Sequence, residues 1–185
     1  MGRIVVSQFV TVDGVIEDPG GSEGFDRGGW AFQFERGEEG DRFKLDELME
    51  SSALLLGRKT YEGFAAAWPG REGAFADKFN TMPKYVVSST LSDPEWSNST
   101  VIGTDDLARV KEENEGVILV NGSRHLVDEL VAQGLVDELR LMVFPIVLGK
   151  GLQAFGDVGA TNALELVEAR PVGKEGVLVL VYRPK

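Results

Sequence analysis

Three short apolar segments of the chain are each followed by residues that could bind phosphate. These residues are small, hydroxyl-bearing or cationic, and they form three groups: Gly57, Arg58, Lys59 and Thr60; Ser88, Ser89 and Thr90; and Asn121, Gly122, Ser123 and Arg124. Hydroxyls, cations and the backbone N–H groups at a helix start all bind phosphate oxygens. Glycine lets the backbone approach a phosphate closely, because no side chain holds the two apart. The three groups therefore predict a phosphate site if folding brings them together.

Each group alone is only weakly specific. The sequence "GRKT" at 57–60 lacks the leading glycine of the G-x-x-x-x-G-K-[ST] phosphate loop, because that position is Ser52. The sequence "VNGS" at 120–123 lacks the three glycines of the dinucleotide fingerprint. A helix capped by a Ser or Thr side chain behind a strand would explain any single group equally well. Only the co-occurrence of all three groups favours the phosphate site.

Asp13 and three aromatic residues are further candidates for chemistry, and Asp13 and Trp68 each have two interpretations. Asp13 in "TVDGV" could hold a substrate amine or amide at a strand end, or it could form a simple turn with the following glycine. Trp68 could line a pocket or pack in the core. Trp30 and Phe34 lie in the Gly- and acid-rich segment 17–40, which is expected to be a long loop. Long loops in compact domains often cover a functional site.

Composition excludes several kinds of site. The chain of 185 residues has no cysteine and one histidine, so thiolate zinc sites, iron–sulfur clusters and multi-histidine metal sites are excluded, and no metal is expected. The net charge of -11 disfavours binding to nucleic acid and to anionic membranes. No apolar run approaches the ~20 residues of a membrane span, and no secretory signal is recognisable, so a cytoplasmic protein is expected.

The apolar segments also predict the elements that must position these residues. Short buried strands such as 52–57 alternate with helical periodicity through the first two-thirds of the chain. This alternation is typical of a mostly parallel sheet with helices on both faces. The strand-rich last third is expected to form an antiparallel edge, with 163–170 pairing with 176–183. We therefore expect a single α/β domain over 1–185, with its ligand beyond the carboxyl ends of the strands.

Taken in order, these segments resemble the dihydrofolate reductase-like family, and most closely the reductase domain of the bifunctional riboflavin-biosynthesis deaminase/reductase and its stand-alone relatives. The motifs span nearly the whole chain in family order: "TVDGVI" at 11–16, "LLLGRKTYEGF" at 54–64, "VVSSTL" at 86–91, "VILVNGSRHLVDEL" at 117–130 and "LMVFPIVLGKGLQAF" at 141–155. The resemblance implies a dihydrofolate reductase-like α/β fold, with a central mostly parallel mixed sheet, flanking helices and an antiparallel C-terminal edge. It also implies NADPH as the cofactor.

The resemblance further implies which residues hold that cofactor. The matching positions are Val15 and Ile16 beside the nicotinamide; Gly57, Arg58, Lys59 and Thr60 in the phosphate segment; Ser88, Ser89 and Thr90 on the adenosine side; and Asn121, Gly122, Ser123 and Arg124 beneath the pyrophosphate. Arg58 is the expected partner of the adenosine 2′-phosphate, because its planar fork suits phosphate. Asn121 replaces the first of the family's paired glycines. Since Asn tolerates left-handed backbone better than most residues, the turn is expected to survive.

On the substrate side, Asp13 matches the acidic residue of the family's "S-x-D-G" segment, which favours a catalytic role over a simple turn. Trp30, Phe34 and Trp68 are expected to contact the substrate, and the aromatic segment 25–43 is the expected lid. The implied activity is NADPH-dependent hydride transfer to a small heterocyclic or conjugated carbonyl compound. Two alternatives remain open: a ribosylamino-pyrimidine reductase of the riboflavin pathway, and a non-enzymatic NADPH-binding protein of the same fold.

The resemblance also bears on partners. The family's reductase domains often pair, so a homodimer is expected. The apolar segment "LRLMVFPIVLG" at 139–149 would suit either a partner surface or an interior strand. The bifunctional riboflavin enzyme needs a cysteine-built zinc site in its other half, so the absence of cysteine excludes that protein.

Overall fold

The β-branched run near the amino terminus forms the central strand β1 (Arg3–Thr11) of the computed structural model, which describes residues 1–185. The remaining strands are β2 (Ser51–Gly57), β3 (Lys84–Val87), β4 (Ser99–Ile102), β5 (Val117–Asn121), β6 (Val136–Phe144), β7 (Leu164–Val172) and β8 (Val177–Pro184). The α-helices are α1 (Gly37–Glu50), α2 (Arg58–Ala67), α3 (Ala74–Thr81), α4 (Leu107–Glu113) and α5 (Arg124–Ala132). Short 3-10 helices occupy Trp30–Gln33 and Thr104–Asp106.

All eight strands belong to one sheet, in the order β4-β3-β2-β5-β1-β6-β8-β7. The strands from β4 to β6 in this order run parallel, whereas β8 is antiparallel to both β6 and β7. The predicted mostly parallel mixed sheet with an antiparallel C-terminal edge is therefore confirmed. Parallel strands place their carboxyl ends at the same edge, so the three sequence groups meet at one side of the molecule.

Helices cover both faces of the parallel strands, which explains why those strands read as continuous apolar runs. On one face, Val6 and Val120 pack with Leu126 and Leu130 of α5. The opposite face is covered by α1, α2 and α3. A third apolar cluster lies under β6 and β8 and includes Trp30 and Phe144. This double coverage fixes the strand ends rigidly with respect to α2 and α5.

One sequence-based expectation about elements is wrong, and one open alternative is decided. The segment 17–40 is not one long loop, because it contains the 3-10 helix at Trp30–Gln33 and the start of α1 at Gly37. The apolar strand β6 lies between β1 and β8, so its burial inside the sheet explains its composition. That strand therefore gives no support for a partner surface. None of the helices combines the length and the hydropathy that crossing a bilayer requires.

Candidate functional site

The strands β3, β2, β5 and β1 lie side by side with their carboxyl ends directed to the same side, and we refer to these ends as the strand-end edge. Gly57 pairs with Val87, and Leu54 pairs with Leu119, so β3, β2 and β5 end at nearly the same height. The strand β1 continues for four residues beyond Ser7, which pairs with Asn121. Adjacent strands lie about 4.8 Å apart, so the three predicted groups fall within a span of roughly 10 Å. The structure thus brings together the residues that the sequence placed after separate strands.

Two helices begin at the strand-end edge, and neither is capped by a side chain. The residues before their first turns, Gly57 for α2 and Ser123 for α5, make no side-chain hydrogen bond to the helix. The first-turn N–H groups of each helix are therefore available to a ligand, and the helix dipole makes them attract an anion. For the groups at 57–60 and 121–124, this finding removes the alternative of a Ser- or Thr-capped helix start.

Gly57 is required for a reason that differs from the prediction. Its φ of −74° is one that any residue adopts, so no special turn demands glycine. A Cβ at this position would instead lie 2.6 Å from the Cβ of Ser123, and closer still to its Oγ. The missing side chain thus lets the turns after β2 and β5 pack against each other.

The turn after β5 holds two successive residues in the left-handed region, Gly122 at φ 74° and Ser123 at φ 66°. Consecutive N–H groups in such a turn form a concave nest that suits an anion. Asn121 stays within β5, so the left-handed backbone considered for it falls on Ser123 instead. The Thr60 Oγ1 lies 3.9 Å from the Cβ position of Gly122, which places its hydroxyl at the nest.

Arg58 connects α2 to the loop after β3. Its Nη1 donates to the Oγ1 of Thr90 at 2.5 Å, and its Nε donates to the Oε1 of Glu62 at 2.7 Å. The Oγ of Ser88 accepts from the backbone N–H groups of Thr90 and Leu91 and so shapes this loop. A guanidinium beside hydroxyls at an exposed loop has the chemistry of a phosphate pocket.

The cationic and hydroxyl residues at this edge are not equally available. Lys59 and Ser89 are exposed. By contrast, Arg124 is half-buried, and its Nε donates to Asp128 at 3.1 Å, one turn along α5. The Arg124 side chain is thereby directed along its own helix.

Asp13 uses both carboxylate oxygens on the protein's own groups. Its Oδ1 accepts from the hydroxyl of Thr11 at 2.6 Å and the N–H of Leu148 at 3.2 Å, and its Oδ2 accepts from the N–H of Gly149 at 2.7 Å. The Thr11 hydroxyl and these N–H groups lower the pKa of Asp13. Nearby, Val15 is buried and donates its N–H to Thr11 Oγ1. Through these contacts, Asp13 links the loop after β1 to the loop after β6.

The expected substrate-contacting aromatics are placed very differently. Phe34 lines a concavity of about 430 Å³, which also includes Phe9 from β1 and Arg36. Trp30 is fully buried, packs edge-on against Phe144 at 5.4 Å and donates its Nε1–H to a backbone oxygen. Trp30 therefore packs the expected lid segment 25–43 against the core, and its side chain has no exposed surface for a ligand.

Trp68 is not brought to the site. It follows the last residue of α2, about 15 Å along the helix from the strand-end edge. Its ring stacks on Phe79 at 4.6 Å, and the guanidinium of Arg71 lies 4.7 Å from the ring centroid. Because α2 runs away from the edge, a residue ten positions after Arg58 packs on α3 instead of lining the pocket.

The family of the chain follows from comparison with known proteins. The sequence model of the RibD C-terminal domain matches residues 3–178. The chain belongs to the RibD C-terminal domain family. The protein YyaP of Bacillus subtilis (strain 168) is 29% identical over 189 residues, covering 97% of this chain and 94% of YyaP. YwjB of the same organism is 27% identical over 175 residues and covers 93% of each chain.

Solved structures show the same fold. A candidate riboflavin biosynthesis protein of Shewanella sp. PV-4 matches with a TM-score of 0.77 at 19% identity, over 99% of both chains. Dihydrofolate reductase from Enterococcus faecalis, solved with NADP(H), matches with a TM-score of 0.62 at 17% identity, over 99% of this chain and 96% of that one. The Thermotoga maritima deaminase/uracil reductase matches with a TM-score of 0.64 at 18% identity, over all of this chain and 57% of its own. The dihydrofolate reductase-like fold is confirmed, and the RibD C-terminal family supports an oxidoreductase.

Two residues outside the family motifs also shape this site. Asp18 is buried with a left-handed φ of 46°, and its carboxylate accepts from the N–H groups of Glu23 and Phe25. In the sequence, the run "EDPGG" after Ile16 indicates this turn, because Asp before Pro-Gly favours a turn that the Asp side chain stabilises. Gln8 interrupts the apolar run of β1, and its amide is buried without a hydrogen-bond partner. In the sequence, the polar pair Ser7–Gln8 between the apolar residues at 4–6 and 9–10 marks this position.

Proposed function

We propose that this protein is an NADPH-dependent reductase that transfers hydride to a small heterocyclic or conjugated carbonyl compound. One observation carries the proposal: the guanidinium of Arg58 is joined to Thr90 beside two helix N-termini that lack side-chain caps. This combination offers two separate anion-binding centres on adjacent strands. A nucleotide with both a pyrophosphate and a 2′-phosphate needs two such centres.

The residues at the strand-end edge fit NADPH in a single direction. Arg58, Ser89 and Thr90 would hold the adenosine 2′-phosphate at β2 and β3. The first turns of α2 and α5, with Thr60 and the Gly122–Ser123 nest, would hold the pyrophosphate beside β5. The nicotinamide would then reach β1, near Val15 and Ile16. The span from β3 to β1 is three strand spacings, roughly 14 Å, which suits an extended dinucleotide.

Glu62 and Lys59 complete the electrostatics of the proposed cofactor site. Glu62 holds the Arg58 side chain in place from the same helix. With a net charge of −11, the protein as a whole repels an anionic ligand, so a local cluster of cations and helix N-termini is needed. Bound NADPH supplies the hydride, and the protein's own groups bind it, orient it and exclude water.

The concavity beside Phe34 is the proposed substrate site. Phe9 projects into it from β1, so the concavity lies close to the nicotinamide end of the proposed cofactor path. Its aromatic walls suit a flat ring, and Arg36 and Asp41, which form an ion pair at 2.6 Å, supply polar groups at its rim. Asp13 acts here as a positioning residue that holds the loop at 147–150 near this end.

A second candidate function is the reduction of a ribosylamino-pyrimidine, and Arg36 favours it. A phosphate-bearing substrate needs a cation beyond those assigned to the cofactor, and Arg36 lines the concavity. Lys150, the other cation suggested for this task, is ion-paired as Arg36 is, but it does not line the concavity. The uracil reductase activity in the name of the Thermotoga maritima protein points in the same direction.

Fluorescence titration with NADPH, and with NADH as the control, tests the proposal. We expect NADPH to bind with a Kd well below about 1 mM and NADH to bind more weakly. Absence of NADPH binding in that range would overturn the reductase proposal. Purified protein is then screened for NADPH oxidation with pyrimidine, pterin and quinone compounds. Binding without turnover of any class would support the non-enzymatic alternative, and turnover restricted to phosphoribosylamino-pyrimidines would support the second candidate.

A further inference from the structure

Gln8 is a buried polar side chain that the protein itself does not satisfy. Only 4% of the residue is exposed, and neither its Nε2 nor its Oε1 has a hydrogen-bond partner. No other buried side chain leaves two atoms unpaired. Buried amides are almost always hydrogen-bonded, because an unpaired one destabilises the fold. An unpaired amide at a candidate binding site therefore suggests a partner that arrives with the ligand.

The strand geometry places this amide at the seam between β1 and β5. Alternation along β1 puts Gln8 on the same face as Ile4 and Val6, which pack with α5. On one side its neighbour across the sheet is Leu141 of β6. On the other side, extending the β1–β5 register by one residue puts Gly122 beside it. Gly122 has no side chain, so this residue places only backbone beside Gln8.

The direction of the proposed cofactor brings its nicotinamide end to this position. Arg58 and Thr90 would fix the 2′-phosphate at β2 and β3, and the Gly122–Ser123 nest would fix the pyrophosphate at β5. The next strand in the sheet is β1. The part of the dinucleotide beyond the pyrophosphate would therefore lie over the carboxyl half of β1, where Gln8 is the buried polar side chain without partners.

We infer that the Gln8 amide recognises the carboxamide of the nicotinamide ring. The inference rests on the proposed function. A side-chain carboxamide carries one acceptor and two N–H donors, and a second carboxamide is its complement. Paired N–H···O bonds between the two would satisfy both atoms of Gln8. They would also fix the rotation of the ring, so Gln8 would act as a specificity and orientation residue for the cofactor.

The variant Gln8→Met tests the inference, because Met has a similar length and no amide. Calorimetric titrations would use two probes: NADPH, and adenosine 2′,5′-bisphosphate, which carries the adenosine phosphates and lacks nicotinamide. We expect the affinity for NADPH to fall about tenfold and the affinity for the bisphosphate to stay unchanged. The Tm of the free protein should stay equal or rise, since a buried unpaired amide is removed.

Ser99→Ala is the matched control. The Oγ of Ser99 is another buried atom without a partner, but it lies at the amino end of β4, away from the strand-end edge. Neither affinity should change in this variant. Gln8→Leu repeats the test if Gln8→Met does not yield folded protein.

The outcomes separate this inference from the proposed function. A Gln8 variant that binds NADPH as tightly as the wild type, or that loses affinity for both probes equally, would overturn the inference while leaving the reductase proposal in place. A wild-type protein that binds neither probe would overturn the reductase proposal itself. Selective loss of NADPH affinity with unchanged or increased Tm supports the role of Gln8.

Discussion

At the residue scale, Gly57 shows how one absent side chain holds the candidate site together. Its Cβ position is occupied by Ser123, a residue of a different strand end that adopts a φ of 66°. A non-glycine residue in that region carries backbone strain. The strain on Ser123 and the lack of a side chain on Gly57 therefore belong to one packing arrangement at the proposed pyrophosphate position.

Gly57→Ala should destabilise the protein by about 1–3 kcal/mol, because the new Cβ overlaps Ser123 and the turn must shift. Urea unfolding measures the loss. The double variant Gly57→Ala/Ser123→Gly should recover much of the stability, since removing the Ser123 side chain vacates the space and relieves its backbone. If the two substitutions are simply additive, the contact between the turns does not explain the glycine.

Lys84 is a second residue whose role lies away from the ligand. It is buried at the start of β3, and its ammonium donates to the backbone oxygens of Met82 and Ser97, both at 2.9 Å, and of Asn80 at 3.2 Å. It also lies 4.3 Å from the centroid of the Trp96 ring. These contacts link α3 and the segment before β4 to β3, and β3 is followed by the loop at 88–90. Burial lowers the pKa of Lys84 to about 8.

The lowered pKa of Lys84 predicts a pH dependence of stability. The unfolded chain holds the lysine proton up to about pH 10.5, whereas the folded protein releases it near pH 8. Between these values the unfolded state binds more protons, so raising the pH favours the folded state. The free energy of unfolding, measured by urea from pH 7.5 to pH 10, should rise more in the wild type than in Lys84→Met. Lys174→Met, in the exposed β7–β8 turn, is the control, and its free energy of unfolding should change with pH as that of the wild type does. If the free energy of unfolding rises equally with pH in all three proteins, Lys84 is not the origin of the pH dependence.

At the element scale, the loops after β1 and β6 behave as one unit at the strand-end edge. The Asp13 carboxylate accepts from two N–H groups of the β6 loop, and Glu17 accepts from the N–H of Leu152 at 2.8 Å. The backbone N–H of Ala154 donates to Gly14 in return. Parallel neighbours such as β1 and β6 bring their following loops together, so this link is a direct consequence of the strand order. The loops border the end of β1 to which the nicotinamide is assigned.

Asp13→Asn should destabilise the protein by about 1 kcal/mol, because one carboxylate oxygen is replaced by a donor facing the N–H of Gly149. Asp26→Asn is the matched control: Asp26 links the same loops through Lys150, but that pair is exposed, so its loss should be close to neutral. Thermal unfolding compares the two variants, and equal effects would contradict the fastening role.

The lowered pKa of Asp13 gives the same experiment a pH dependence. The stability that Asp13 contributes is present above its unfolded-state value near 3.8 and is lost as the pH falls further. The difference between wild type and Asp13→Asn should therefore shrink below about pH 4. A difference that is constant down to pH 3 would contradict this origin.

At the scale of the whole molecule, the sheet and the location of its site could be predicted from the sequence, but the contacts within the site could not. Strands covered on both faces must be continuous apolar runs, so segments such as "ALLLG" at 53–57 revealed the parallel sheet and hence the common edge. No local pattern shows that Ser123 fills the space beside Gly57, or that the loop after β6 engages Asp13. Both contacts join residues far apart in sequence and are set by strand order alone.

The outer edge of the sheet bears on the expected homodimer. The edge strand β7 exposes Leu164, Leu166 and Val167 by 40–53%, whereas exposed edge strands usually carry charges or proline that prevent pairing. Sedimentation equilibrium should give a dimer for the wild type and a monomer for Leu166→Lys. Phe32→Lys is the control, because Phe32 is an exposed apolar residue next to the concavity, and it should leave the mass unchanged. A monomeric wild type would show the homodimer prediction to be wrong, and a dimeric Leu166→Lys would move the interface elsewhere.

The central claim is that the strand-end edge binds the phosphates of NADPH and that Arg58 reads the 2′-phosphate. Its most direct test is calorimetric titration of the wild type, Arg58→Ala and Arg3→Ala with NADPH and with NADH. Arg3 is an exposed arginine at the amino end of β1, opposite the strand-end edge, and it is paired with Glu138. Arg58→Ala should weaken NADPH binding by roughly 10- to 100-fold and NADH binding only slightly, while Arg3→Ala changes neither. Equal losses for both nucleotides, or no loss in Arg58→Ala, would contradict the account.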